Sequence, residues 1–237
     1  MNIYQYILQS ISLEKKLLAV LLDPDKVNLK DVEQLIEKIE RKADFIFVGG
    51  SSVSNGDTEN LVQKLKLHTK LPIVLFPGDY TQITNKADAI LFLSLISGEN
   101  PEYLIKQQLK SVPLLERSSL EIIPTGYILI NGGAKTSVQK VSDTIPIDHQ
   151  NSQLVSHTAL AGQYMGKQLI YLEAGSGATM PISKAIIESV AKKITVPLIV
   201  GGGIRTKEQL NTAFDAGAAI VVIGTAFEEN NELFDNF

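Results

Sequence analysis

Cysteine is absent from the 237-residue chain, which excludes disulfides, thiolate metal sites and a thiol nucleophile together. That absence fits a reducing compartment, and the cytoplasm is the expected location. An excess of basic charge is absent too. The formal net charge is −4 and the pI lies near 5.5, so the basic face expected of a nucleic-acid binder is missing. Long hydrophobic runs are also lacking. The apolar run Leu17–Leu22 ends at Asp23, far short of the roughly 20 residues of a membrane span. Lys15 and Lys16 precede it, but it is too short for a signal-peptide core and no small-residue cleavage site follows. Histidine is scarce: His68, His149 and His157 fall in a helix end, a polar loop and the fifth barrel helix, none at a strand end. What remains is an ordinary globular composition, 44% hydrophobic and 20% charged, long enough for one α/β barrel or two small domains.

Eight short apolar, β-rich runs recur along the chain: Leu17–Leu22, Phe45–Val48, Ile73–Phe76, Ala89–Leu93, Gly126–Ile130, Gln168–Glu173, Val196–Val200 and Ala219–Ile223. Most are continuously apolar, as parallel strands covered on both faces should be. Helical patterns lie between them. Val32, Leu35, Ile36 and Ile39 follow the helical period, and Ile182, Ile186, Ile187, Val190 and Ile194 form a second stripe. Thr206 to Gln209 has capping-box spacing and opens a helix through about Ala216, which Gly217 stops. Eight βα units around one core imply a closed (β/α)8 barrel. One unit is irregular. Only Pro77–Asp88 separates the third and fourth strands, too little for a full crossover helix, so the third helix is expected to be shortened or replaced. Ala134–Asn151 reads as a long polar loop leading into the fifth helix.

Barrel active sites occupy the C-terminal ends of the strands, and the loops after strands 7 and 8 commonly cradle phosphate. Here those loops are glycine-rich: Val200 to Arg205 reads VGGGIR and Ile223 to Glu228 reads IGTAFE. Glycine lets backbone N–H groups approach phosphate oxygens with no Cβ in the way. Each loop alone suits an ordinary turn; the pair points to a phosphorylated substrate. Strand 1 ends in Asp23-Pro24-Asp25-Lys26, where Asp23 could hold Mg²⁺ or act as acid or base, and Asp25 suits a helix cap. Strand 2 ends in Gly49-Gly50-Ser51-Ser52. A neighbouring Asp23 and Ser51 would suit a metal-bound diphosphate, since Mg²⁺ takes few protein ligands and completes its shell with phosphate and water. Strand 6 ends in Tyr171-Leu172-Glu173-Ala174-Gly175-Ser176-Gly177. Alternation puts Tyr171 and Glu173 on one face. An inward glutamate is costly unless it has a partner or a role, whereas Tyr171 alone could be core. Lys135 and Lys140 could meet a diphosphate, though solvated loop lysines are commoner.

The ordered set LLDPDK, FVGGSS, VLFPG, YLEAGSGA, VPLIVGGGIRT and VVIGTAFE closely resembles the geranylgeranylglyceryl phosphate synthase family, which includes heptaprenylglyceryl phosphate synthases. YLEAGSG is the specific signal. The resemblance implies a single TIM-barrel prenyltransferase domain over residues 1–237 with its third helix replaced. It implies ether formation between sn-glycerol 1-phosphate and a long prenyl diphosphate, with geranylgeranyl diphosphate the expected donor and Mg²⁺ the cofactor. Asp23 and Ser51 then correspond to the metal ligands. Tyr171, Leu172, Glu173, Ala174, Gly175, Ser176, Gly177, Gly202, Gly203, Gly224 and Thr225 correspond to the glycerol-phosphate site. Glu173, with Tyr171, corresponds to the catalytic group that positions and deprotonates the glycerol hydroxyl. The implied partners are these two small molecules, a transient membrane surface at product release and further copies of the chain, with no nucleic acid. The chain departs from the commoner family pattern at Asn131-Gly132-Gly133-Ala134-Lys135. Two other readings of the residues stand beside this one: a sugar-phosphate isomerase, for which strand 5 lacks a carboxylate opposite Asp23, and a non-catalytic phosphate-binding protein.

Overall fold

Eight parallel strands close into a barrel in sequence order, each hydrogen-bonded to the next and the eighth to the first. They are β1 (Leu17–Leu22), β2 (Phe45–Val48), β3 (Ile73–Leu75), β4 (Ala89–Leu95), β5 (Glu121–Leu129), β6 (Leu169–Glu173), β7 (Leu198–Gly201) and β8 (Ile220–Ile223). The computed structural model describes residues 2–54 and 56–224. Thr225, assigned to the phosphate site from the sequence, lies outside the described residues.

Strand alternation sorts the apolar side chains into two cores. Leu17 and Ala19 of β1, and Leu169 and Tyr171 of β6, face the barrel interior. Leu18, Val20 and Leu22, with Ile170 and Leu172, face the helices. The helical ring supplies the other half of the outer core. Helix α2 (Val32–Ile39) buries Val32, Ile36 and Ile39, and α7 (Lys184–Ala191) buries Ile186, Ile187 and Val190. These are the two stripes read from the sequence. The capping box of α8 (Lys207–Asp215) forms as expected, with Thr206 and Gln209 bonding reciprocally, and Gly217 follows at φ +112°.

The third crossover contains no α-helix. A single 3-10 turn, Tyr80–Gln82, joins β3 to β4. Its Gln82, buried, bonds both polar groups of one residue in the β2 loop. The amide Nε2 donates to the Gly50 carbonyl (2.8 Å), and Oε1 accepts from the Gly50 N–H (3.3 Å). A short segment thus replaces the helix and still pins the loop it covers.

Four features differ from the sequence reading. Helix α1 (Ile3–Ser12), absent from it, closes the bottom of the barrel with Ile3 and Ile7, which are buried in the interior core. The Glu121 carboxylate at the start of β5 accepts from its first N–H groups, those of Ile3 and Tyr4. Asp25 caps no helix. It accepts from the Ser54 N–H (3.1 Å) and ties the β1 loop to the β2 loop, because α2 starts only at Val32. The polar stretch 134–151 is not wholly loop: Thr136 caps a short helix α5 (Ser137–Ser142), and Ile147 bridges to Ile130. Finally, β5 begins five residues before the apolar run suggested, since its polar and proline-containing first half pairs with β4 from Ala89↔Glu121 onward.

Candidate active site

At the end of β6 the alternation that buries Tyr171 also aims Glu173 into the barrel mouth. Glu173 is 5% exposed and Tyr171 fully buried. Gly175 follows with φ +97°, a left-handed turn that folds the loop back so that its N–H donates to Glu173 Oε1 at 2.7 Å. Burial raises the Glu173 carboxyl from an ordinary 4.5 to about 7, against the opposing pull of the Gly175 N–H and the nearby Tyr171 hydroxyl. Among the described residues that hydroxyl has no hydrogen-bond partner. It lies close enough to Glu173 to favour the charged carboxylate all the same. Desolvation, then the charge of Glu173, keep the Tyr171 phenol well above its usual range, so it is a neutral donor.

Strand β7 reaches the same point with glycine for a steric reason. A Cβ on Gly201 would stand 2.4 Å from the Tyr171 hydroxyl and 3.1 Å from Glu173 Oε2. One on Gly202 would stand 2.3 Å from Glu173 Oε1. Gly202 and Gly203 both have positive φ, +83° and +71°, so this turn presents consecutive N–H groups as a phosphate-binding nest does. Arg205, beyond it, donates Nη1–H to the Ala178 carbonyl at 2.7 Å and brings a positive charge to the cavity wall.

On the opposite rim, Asp23 follows β1. Its Oδ1 accepts from the Asp25 N–H at 3.2 Å, and Lys26 Nζ is 3.5 Å from Oδ2. A Cβ on Gly50 would stand 2.9 Å from Asp23 Oδ1, so the β2 loop touches this carboxylate. Asp23, Ser51, Tyr171, Glu173, Gly175, Ser176, Gly177, Gly202, Gly203 and Gly224 all line one cavity. Leu172 and Ala174 do not; their side chains lie in the outer core. Lys135 and Lys140 are exposed and do not line it either.

A metal at the Asp23 rim would meet one carboxylate and one hydroxyl, with no group of three His, Cys, Asp or Glu side chains assembled among the described residues. Hard oxygen donors in that small number suit Mg²⁺ whose shell is completed by substrate phosphate and water. The donor set fits.

A second cavity, mostly apolar, opens where the third helix is missing. Tyr80 and Ile83 of the short segment, Leu93 of β4, Tyr103, and Gln108 and Ser111 of α4 (Gln107–Leu115) are among its walls. It shares Gly50, Ser51, Phe76, Tyr127 and Val138 with the polar cavity, so the two meet at a neck. Sequence reasoning missed Tyr127, Gln82, Val138 and Arg205. Tyr127 was findable, because it lies in register with Tyr171 on the same barrel face. Gln82 and Val138 carry no such signal, since each sits in a connection whose path is set by tertiary packing. The loop Asn131–Lys135 braces the loop after β6: the Gly132 carbonyl accepts from the N–H groups of Thr179 (2.9 Å) and Met180 (3.1 Å). Thr136 beyond it stands where a Cβ on Gly175 would fall, 2.1 Å from its Cγ2.

A parallel barrel with glycine-rich loops after β6 and β7, a buried carboxyl group at the mouth and an apolar side groove is the architecture of an enzyme that brings a phosphorylated molecule together with an apolar one. The chain matches the PcrB family over residues 10–237 and belongs to it. It is 53% identical over 227 residues to the geranylgeranylglyceryl phosphate synthase of Zunongwangia profunda, covering 96% of this chain and 97% of that protein. To the synthase of the same name from Thermococcus gammatolerans it is 42% identical over 230 residues, 96% of this chain and 90% of that one. Among solved structures it superposes on (S)-3-O-geranylgeranylglyceryl phosphate synthase from Thermoplasma acidophilum in complex with substrate sn-glycerol-1-phosphate. The TM-score is 0.93 at 30% identity, with 100% of this chain and 95% of that one covered.

Proposed function

We propose that the protein is a geranylgeranylglyceryl phosphate synthase. It joins the 3-hydroxyl of sn-glycerol 1-phosphate to C1 of geranylgeranyl diphosphate, forming an ether and releasing diphosphate. One observation carries this reading beyond the family: a polar cavity holding a buried carboxylate near neutrality opens through a neck into an apolar groove. An isomerase of small sugar phosphates would have no use for the groove.

The nests at Gly175–Gly177 and Gly202–Gly203 bind the glycerol phosphate, with Arg205 adding charge. Tyr171 donates its free hydroxyl to the glycerol and holds it against Glu173. The Glu173 carboxylate accepts the proton of the 3-hydroxyl as its oxygen bonds to C1. The C1–O bond to diphosphate breaks, and its electron pair leaves with the diphosphate. Asp23 and Ser51 stand at the diphosphate end, where they would be the protein ligands of Mg²⁺. When bound there, that ion supplies charge neutralisation for the leaving group. Orientation of the hydroxyl by the nests is a positioning contribution, and the groove excludes water from the donor carbon.

Among the described residues no helix is long and apolar enough to cross a membrane. The reading carries a cytoplasmic location, supported by the cysteine-free composition, and a transient membrane contact at product release. It also carries a homo-oligomer, supported by Tyr164 standing 77% exposed. The test is incubation with labelled sn-glycerol 1-phosphate, geranylgeranyl diphosphate and Mg²⁺. A product with the mass of the ether and stoichiometric diphosphate support the assignment; release of inorganic diphosphate without ether, or no turnover, contradicts it.

A further inference from the structure

A line of aromatic rings runs up the barrel axis from the floor to the mouth. Tyr6 of α1 meets Phe45 edge-on at 5.7 Å between ring centroids, Phe45 meets Phe47 at 6.3 Å, and Phe47 stacks on Phe76 at 6.4 Å. At the top the line divides. Phe76 lies 5.9 Å from Tyr127 and 5.2 Å from Tyr171, and the two tyrosines meet at 5.4 Å with their planes 65° apart. Offset and edge-on pairs of this kind orient rings more firmly than area burial alone does. Phe76 and Tyr127 are the only aromatic residues that wall both the polar cavity and the apolar groove among those described.

That position matters because of what must pass through the neck. With the diphosphate at the Asp23 and Ser51 rim, the chain in the groove and the acceptor at Glu173, C1 of the donor lies between them. We infer that the rings of Phe76 and Tyr127 form the contact surface for C1 and stabilise the positive charge that develops there as the diphosphate departs. This rests on the prenyl-transfer reading given above. The electron pair of the breaking C1–O bond leaves with the diphosphate. The glycerol oxygen supplies the pair for the new bond, and its proton passes to Glu173, so the rings exchange no electrons and act by their negative faces. A water-poor neck is where such an interaction is strongest. Burial, and next the charge of Glu173, keep the Tyr127 phenol well above its ordinary range. It therefore stays a neutral ring at working pH and is a poor nucleophile toward C1.

The test replaces Phe76 by phenylalanines carrying one, two and three ring fluorines, which keep the shape and progressively weaken the negative face. Single-turnover rates should fall stepwise with fluorination, by about ten- to thirtyfold across the series, while the KM for sn-glycerol 1-phosphate stays constant. A second arm measures inhibition by a prenyl ammonium ion, positive at the C1 position, together with inorganic diphosphate. It should bind the wild type well and lose affinity in parallel with the fluorinated series. A flat rate series on enzyme that makes the ether overturns the inference and leaves the assigned reaction standing. Wild-type enzyme that makes no ether overturns both. Phe76→Leu with unchanged rate and an unchanged melting profile also overturns it.

Discussion

Replacing Glu173 with glutamine should stabilise the protein at alkaline pH while removing its activity. The carboxyl sits at about 7 in the folded chain against an ordinary value of 4.5, so the folded state holds its proton over a range in which the unfolded state has lost it. Stability from this group is therefore complete below about pH 4.5 and is lost as the pH rises to about 7. At roughly 1.4 kcal/mol per pH unit, that window corresponds to about 3 kcal/mol. Glu173 is 5% exposed, so solvent screening takes little from the figure. Glutamine is neutral throughout and its amide oxygen can still accept from Gly175. The difference in Tm between Glu173→Gln and wild type should grow from near zero in acid to roughly 6–12 °C above neutrality. Thermal denaturation of both proteins across pH 5–8 measures it. A Tm difference that is independent of pH, or one that shrinks as the pH rises, would mean that burial does not hold the Glu173 proton. So does a variant that gains stability but keeps its turnover, since the carboxylate would then be buried for no catalytic end.

The same carboxyl sets the rate profile: wild-type kcat/KM should climb with pH and level off above about 7, and Glu173→Gln should lose about 10²–10⁴-fold in kcat with glycerol-phosphate affinity retained. Full activity at pH 5 would contradict the role. Asp23→Asn should cost about ten- to hundredfold in the use of prenyl diphosphate, the range for a lost charged contact, and much less in glycerol-phosphate binding. Equal losses in titrations of both substrates would remove the division of the mouth into two rims. Gly202→Ala combines positive φ with a Cβ 2.3 Å from Glu173 Oε1, and should lower kcat/KM about a hundredfold by displacing the base; near-normal kinetics would show that the loop moves freely. Ser111→Phe should fill the apolar groove, whose walls include Ser111, and shift preference to shorter donors, because each methylene excluded costs about fourfold in affinity. Kinetics with donors of graded length decide that one, and an unchanged preference would place the chain elsewhere.

The barrel was legible because its signals are local. Continuously apolar runs such as Phe45–Val48 mark buried parallel strands, and the brevity of Pro77–Asp88 left no length for a helix. Glu173 was legible for the same reason, since period-two alternation places it with Tyr171 whatever the tertiary detail. Helix α1 was not, because a floor helix follows no barrel repeat and declares itself only when Ile3 and Ile7 find the interior core. Asp25 misled because a turn-favouring residue near a helix can serve either the helix or another loop, and Ser54 wins it here. The neck is legible only in three dimensions. Phe76, Tyr127 and Val138 come from β3, β5 and α5 regions far apart in sequence, and only barrel closure brings them to one place.

In the proposed reaction the glycerol phosphate and the prenyl chain approach each other from two cavities and meet beside Glu173. A crystal structure of Glu173→Gln with sn-glycerol 1-phosphate, geranylgeranyl diphosphate and Mg²⁺ tests it directly, because the inactive variant should hold all three unreacted. The glycerol 3-hydroxyl should lie between residue 173 and C1, about 3–3.5 Å from that carbon, with C1 at Phe76 and Tyr127 and the chain running past Leu93 towards Ser111. A chain lying along any other face of the barrel, or a diphosphate seated in the Gly202–Gly203 nest, would contradict it.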